Sequence, residues 1–142
     1  MHVWLRGIAA TAAGLTVGIV LIMTVQGLGV RLYPLPPDVD LADPAAMARV
    51  VRDAPVGALL MVELSYAAGS LAAGITVGLL ARRRAFLLAG VIGGLLTVAG
   101  FANLAAIPHP AWFAVVSTAT YLPCALLGVL GMQRWRAGPT RA

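Results

Sequence analysis

Lysine is absent from this chain, and glutamate occurs once, at Glu63. Charged residues of every kind make up 11% of the 142 residues, while 61% are hydrophobic. A soluble domain carries about 25% charged residues. So little polar surface cannot cover a water-exposed globule, and the solvent that suits this composition is mostly lipid. Cysteine is represented by Cys124 alone, which excludes an internal disulfide and any C-x-x-C pair. In its apolar run Cys124 reads as a small packing residue. No H-E-x-x-H, G-x-S-x-G or phosphate loop occurs, so the enzyme classes built on them are not indicated, nor is any cofactor.

What is present is a formal charge of +5, supplied wholly by arginine. A nucleic-acid binder gathers such charge on one face of a folded domain. Here the arginines stand between and beside long apolar runs, a membrane pattern. Arginine without lysine, amid much Ala and Gly, also suggests a GC-rich bacterial genome. Crossing the hydrocarbon core takes about 20 apolar residues in a helix. Four segments qualify: about 8–30, 56–81, 85–107 and 111–132. The first exceeds a signal-peptide core and lacks a convincing cleavage site after it, so it reads as a retained helix. The expected fold is all-α, a four-transmembrane-helix bundle formed by one domain over residues 1–142.

Four spans put the N-terminus, the loop between spans two and three, and the C-terminus on one side. That side carries Arg6, Arg82, Arg83, Arg84, Arg134, Arg136 and Arg141; the other carries Arg31, Arg49 and Arg52. The positive-inside rule places both termini in the cytoplasm of a bacterial inner membrane. Trp4, Phe86 and Trp135 flank the inner ends, and Tyr33, Trp112 and Phe113 the outer ends, as interfacial aromatics do. His2 and His109 then face opposite sides, and no histidine-rich metal site can form within one chain.

The outer loop 31–55 begins with clustered prolines, Tyr33-Pro34-Leu35-Pro36-Pro37-Asp38, which resist helix. Asp43 before Pro44 reads as an N-cap followed by proline at the first helical position. Met47, Val50, Val51 and Ala54 then recur at helical spacing, with Arg49, Arg52 and Asp53 elsewhere. This predicts a short amphipathic helix lying on the outer membrane surface. The other connections are short, Arg82-Arg83-Arg84 and Ile107-Pro108-His109-Pro110, and predict that spans two, three and four are successive antiparallel neighbours.

Glu63 is the pointer to function. It lies eight residues beyond Pro55, roughly 12 Å inside the outer boundary. An ionisable group at that depth is costly unless paired, hydrated or protonated. Gln26 and Asn103 lie about 6 Å deep, Ser117 about 10 Å and Tyr121 about 16 Å, all in the outer half. On span two, Glu63, Tyr66, Ala67, Ser70, Gly74 and Gly78 share one stripe, and Leu60, Leu64, Leu71, Ile75 and Leu79 share the opposite one. Small and polar residues belong against other helices, large aliphatics against lipid, so Glu63 is expected to face the bundle interior. A protonated carboxyl there can donate to Asn103, Gln26 or Ser117. Alternatively, Arg31 or Arg52 turns inward and pairs with the ionised form. The small-residue series Ala10-Gly14-Gly18 and Gly90-Gly94 suit close helix approach. Pro123 is expected to kink the last span.

Size, four spans and one membrane glutamate resemble the small multidrug resistance transporters. In that family the key acid lies on the first helix, where this chain has none, so its residue roles do not carry over. The segments Leu32–Asp38 and Asn103–Phe113 look like those of small four-helix bacterial inner-membrane proteins, a resemblance that implies no activity. The residues therefore lead to one expectation: a periplasm-facing polar pocket with Glu63 at its floor. Gln26, Tyr66, Asn103, Ser117 and Tyr121 surround it, and His109 stands at its mouth as a side chain that can change charge near neutral pH. A proton or a small cationic or hydrogen-bonding ligand is its natural guest. The alternative is an accessory subunit that docks other membrane helices or a second copy of itself, with Glu63 only fixing helix packing and His109 only a loop residue. Neither reading involves nucleic acid.

Overall fold

The computed structural model describes residues 2–40, 42–81 and 83–138. Arg82 and Arg141, two of the arginines used above for orientation, lie outside the described residues. The chain forms α1 (His2–Leu32), α2 (Pro44–Asp53), α3 (Val56–Leu80), α4 (Ala85–Ala106) and α5 (Ala111–Ala137). All but α2 are long and apolar enough to cross a membrane.

The helix ends follow local chemistry. Proline closes off α1 through the Pro34–Pro37 segment and opens α3 and α5 at the caps Pro55 and Pro110. Asp43 caps α2: its carboxylate accepts the backbone N–H of Ala45 at 2.9 Å and of Ala46 at 3.1 Å. Along α2, Ala46 is buried and Arg49, Arg52 and Asp53 are exposed. Two helices outrun the expected apolar spans. α1 begins at His2, and α5 continues through Gln133–Ala137 until Gly138, whose φ of 71° favours glycine. Apolarity marks the membrane-length run, whereas the helix itself continues until a residue stops it. α5 also runs continuously past Pro123.

α3 is the central helix. It packs along α1 on one side and α5 on another, and touches α4 less; α4 leans on α5, and α1 and α4 scarcely meet. The contacts of α3 with α4 and of α4 with α5 agree with the succession of neighbours expected from the short loops; the closer meeting of α3 with α5 is an addition that backbone approach decides and loop length does not. Gly18 sits against the carbonyl of Gly69, where a Cβ would lie 3.0 Å from the oxygen. Gly74 and Gly128 are pressed against the backbones of Ala125 and Leu71 respectively, so neither position has room for a side chain. α3 and α5 can approach this closely only because glycine stands at both points. The core is correspondingly small-residued, with Ala73, Val77, Ala89, Ile92, Ala125 and Val129 fully buried. Large aliphatics point outward: Leu60, Leu64, Leu71, Ile75 and Leu79 are all exposed along α3.

The C-terminal end of α3 shows what the arginines do locally. The last carbonyls of a helix lack intrahelical partners. Arg6 Nε donates to Leu80 O at 2.9 Å, Arg136 Nη1 to Gly78 O at 2.7 Å and Arg136 Nη2 to Leu79 O at 2.8 Å. Cations from α1 and α5 thus close the negative end of the helix dipole of α3.

Candidate functional site

The site begins with one stripe of α3 meeting one stripe of α5. Glu63 is 7% exposed and Ser117 1%. Ser117 Oγ hydrogen-bonds Glu63 Oε1, and Thr120 Oγ1 lies 3.4 Å from Glu63 Oε2. Ser117, Thr120 and Tyr121 share a face of α5 because they stand at i, i+3 and i+4.

The hydroxyls have a second acceptor each. Ser117 Oγ donates to Phe113 O at 2.8 Å, and Thr120 Oγ1 to Val116 O at 2.8 Å. A hydroxyl carries one proton and two lone pairs. If Glu63 is ionised, the two hydroxyl protons can turn to its oxygens. If Glu63 carries the proton, the hydroxyls can return theirs to the carbonyls, and the carboxyl donates to one hydroxyl oxygen. Either protonation state leaves the three side chains hydrogen-bonded. The partners of Glu63 are therefore hydroxyls, not cations. Arg31 and Arg52, the alternative partners considered from sequence, are both exposed.

Two tyrosines extend the cluster toward the centre of the molecule. The rings of Tyr66 and Tyr121 lie 5.0 Å apart between centroids, tilted by 41°. Tyr121 is 3% exposed and lies against Gly100 of α4, where a Cβ would come 2.8 Å from the tyrosine hydroxyl. On the other side, Gln26 Nε2 of α1 donates to Ser65 Oγ at 3.3 Å, and Ser65 Oγ donates to Val62 O at 2.6 Å. Ser70, one turn beyond Tyr66, is fully buried, and its hydroxyl has no partner among the described residues.

The structure thus brings Glu63, Ser117, Tyr66 and Tyr121 together at the α3–α5 contact and sets Gln26 beside it on α1. Asn103 stands apart: it is exposed on α4. His109 is half-buried, with Nδ1 2.6 Å from Ile107 O. A carbonyl only accepts, so Nδ1 carries a proton in that contact. The imidazole stacks on Phe113 at 5.0 Å between centroids and 11° between planes. Phe113, expected at the outer membrane interface, is instead 1% exposed. Ser117 stands one turn beyond Phe113 on α5. Trp112 remains exposed and meets Phe113 edge-on.

Sequence reasoning missed Thr120, Ser65 and Gly100. Thr120 was within reach of periodicity, since it shares the α5 face with Ser117 and Tyr121. Ser65 lies on the far side of α3 from Glu63, and only the burial of α3 by α1 brings it inside. Gly100 carries no chemistry of its own and is recognised only by what it admits.

No protein-family model, curated protein or solved structure matches this chain.

Three cavities lie elsewhere. One is between α1 and α4, one between α2 and its loop, and one is a shallow groove between α4 and α5; Glu63 lines none of the three. The carboxyl is held in a side-chain contact, an arrangement suited to storing or passing a proton. A small hydrogen-bonding group could enter only by displacing one of the hydroxyls.

Proposed function

We propose that this chain is a multi-pass protein of a bacterial inner membrane, with both termini in the cytoplasm, and that Glu63 is its working group. The reading is that Glu63 takes up and releases a proton, or exchanges it for a small cationic or hydrogen-bonding ligand, from the periplasmic side. One observation carries it. Each hydroxyl bonded to Glu63 also has its own helix carbonyl to return to. Partners that accommodate both protonation states let the carboxyl gain and lose a proton without leaving its contact. The distribution of side chains supports the membrane setting: alanine, glycine and serine are prominent within, and most leucines and valines point outward. α2 then lies on the outer surface.

The test is an infrared difference spectrum of detergent-solubilised protein between mildly acidic and mildly alkaline pH, with Glu63→Gln alongside. The proposal expects a protonated-carboxyl stretch that titrates in the wild type and vanishes in the variant. Tetraphenylphosphonium, a probe cation, is expected to shift that titration. Identical carboxyl spectra from both proteins would sink the proposal.

A second reading has its own support. Gly90 and Gly94 lie one turn apart on α4 with nothing within 4 Å of where a Cβ would sit. This small-residue step has no partner among the described residues, as a face that docks another membrane helix requires. Under this reading the protein is an accessory or self-associating subunit. Cysteine cross-linking at position 90 in native membranes tests it, and a purely monomeric product counts against it.

A further inference from the structure

The cleft between α1 and α4 has a volume of about 630 Å³ and lies beside the Arg83-Arg84 turn. Its walls are apolar, with Gly7, Ala12 and Leu15 from α1 and Leu87 and Leu88 from α4. Thr11 is the only hydroxyl in the wall among the described residues, and it donates to its own helix at Gly7 O. The rim is cationic. Arg6, Arg83 and Arg84 stand around it, and the Arg84 guanidinium lies 4.9 Å over the ring of Trp4. Arg83 and Arg84 are exposed.

The acids of this chain are Asp38, Asp40, Asp43, Asp53 and Glu63. None lies on α1 or α4, and Glu63 is about 25 Å along α3 from the Leu80 end, at 1.5 Å per residue. Among the described residues the rim therefore has no carboxylate near it. An apolar slot with unneutralised guanidinium groups at one end is complementary to an amphiphile with an anionic head. The planar guanidinium fork matches a phosphate, and basic pockets between membrane helices hold such headgroups.

We infer that this cleft binds an anionic phospholipid, with an acyl chain along Gly7, Leu15 and Leu88 and the phosphate at Arg83 and Arg84. Trp4 holds Arg84 in place and covers the glycerol region. A water-soluble phosphate ester would use the arginines but leave the apolar walls uncovered, which is why the lipid is the better fit. The inference rests on the proposal that the four long helices lie in a bilayer, and is independent of what Glu63 does.

The test uses the full chain in a neutral detergent, with native mass spectrometry and thermal melts. Phosphatidylglycerol, phosphatidylcholine of the same chains, and inorganic phosphate are added separately. Phosphatidylglycerol is expected to be retained over phosphatidylcholine by roughly tenfold or more, from two arginines at the headgroup. It should raise the melting midpoint, and inorganic phosphate should not. The Arg83→Gln/Arg84→Gln double variant should lose the preference, Arg134→Gln, outside the cleft, should keep it, and Gly7→Phe should lose retention by filling the slot. Equal retention of the two lipids, or an undiminished preference in the double variant, overturns the inference. So does stabilisation by inorganic phosphate equal to that by phosphatidylglycerol. Should the double variant not fold, the two-lipid comparison on the wild type decides alone. Detergent phase partitioning separates the two levels: a chain in the aqueous phase overturns the membrane reading. A chain in the detergent phase without lipid preference overturns only this site.

Discussion

Two buried serines show how differently one residue type can be used. Ser117 Oγ bonds both Glu63 and the carbonyl of Phe113, whereas Ser70 Oγ, equally buried on α3, bonds nothing among the described residues. Removing a hydroxyl costs stability only if it removes a bond, and leaving a buried group without one is itself unfavourable. Ser117→Ala should therefore destabilise the protein by about 1–2 kcal/mol, the upper range for hydrogen bonds between membrane helices. Ser70→Ala should be neutral or slightly stabilising. Reversible unfolding in mixed micelles measures both. Equal losses from the two variants would mean that Ser70 has a partner in solution. Of the candidate residues, Glu63, Tyr66, Ser117 and Tyr121 were legible from sequence because depth and helical face are both periodic quantities. Asn103 has the expected depth and shares the helical stripe of Ile92 and Leu96, yet it is exposed. Whether that level of α4 is covered depends on the neighbouring helices, and neither depth nor periodicity carries that information.

The helices associate through glycine, and each glycine's role depends on its neighbour. Gly128 faces the backbone of α3, with Ile75 N only 2.8 Å from where a Cβ would sit. Gly131, less than one turn further along α5, has nothing within 4 Å. A backbone cannot yield as a flexible side chain can. Gly128→Ala should force α3 and α5 apart at a cost of about 1–3 kcal/mol, in the range of overpacking. Gly131→Ala should instead stabilise by up to about 1 kcal/mol through helix propensity. Opposite signs in the same unfolding assay are the expected result; equal effects would place the α3–α5 contact elsewhere. The same spacing of small residues that packs Gly14 and Gly18 onto α3 leaves Gly90 and Gly94 without a neighbour, so the pattern marks close-approach faces without naming the partner.

Charge is segregated across the whole molecule. Every acid lies between residues 38 and 63, while most arginines cluster near the two chain ends and the turn before α4. Among the latter, Arg6 and Arg136 close the carbonyl end of α3, so charge that sets orientation under the positive-inside rule also caps the central helix. Under the proposed topology, with both termini in the cytoplasm, a green fluorescent protein fused after the last residue should fluoresce and an alkaline phosphatase fused there should be inactive. Moving the phosphatase into the loop before α2 should make it active. The reverse pattern at both positions would invert the topology and put the Glu63 end in the cytoplasm.

Helix number, the limits of α3 and α4 to within a residue and the outward stripe of α3 all follow from composition and periodicity, because they depend on residues near one another along the chain. The stripe carrying Glu63 was readable on the same ground. Which helices α3 touches is a different kind of quantity. It is set by where backbones can come within contact distance, at Gly18 with Gly69, Gly74 with Ala125 and Gly128 with Leu71. Only that three-dimensional fit turned Thr120 and Ser65 inward, left Asn103 exposed, stacked His109 on a buried Phe113, and opened the cleft between α1 and α4. Long-range contacts are chosen by complementary shape between distant segments, and no local pattern encodes that choice.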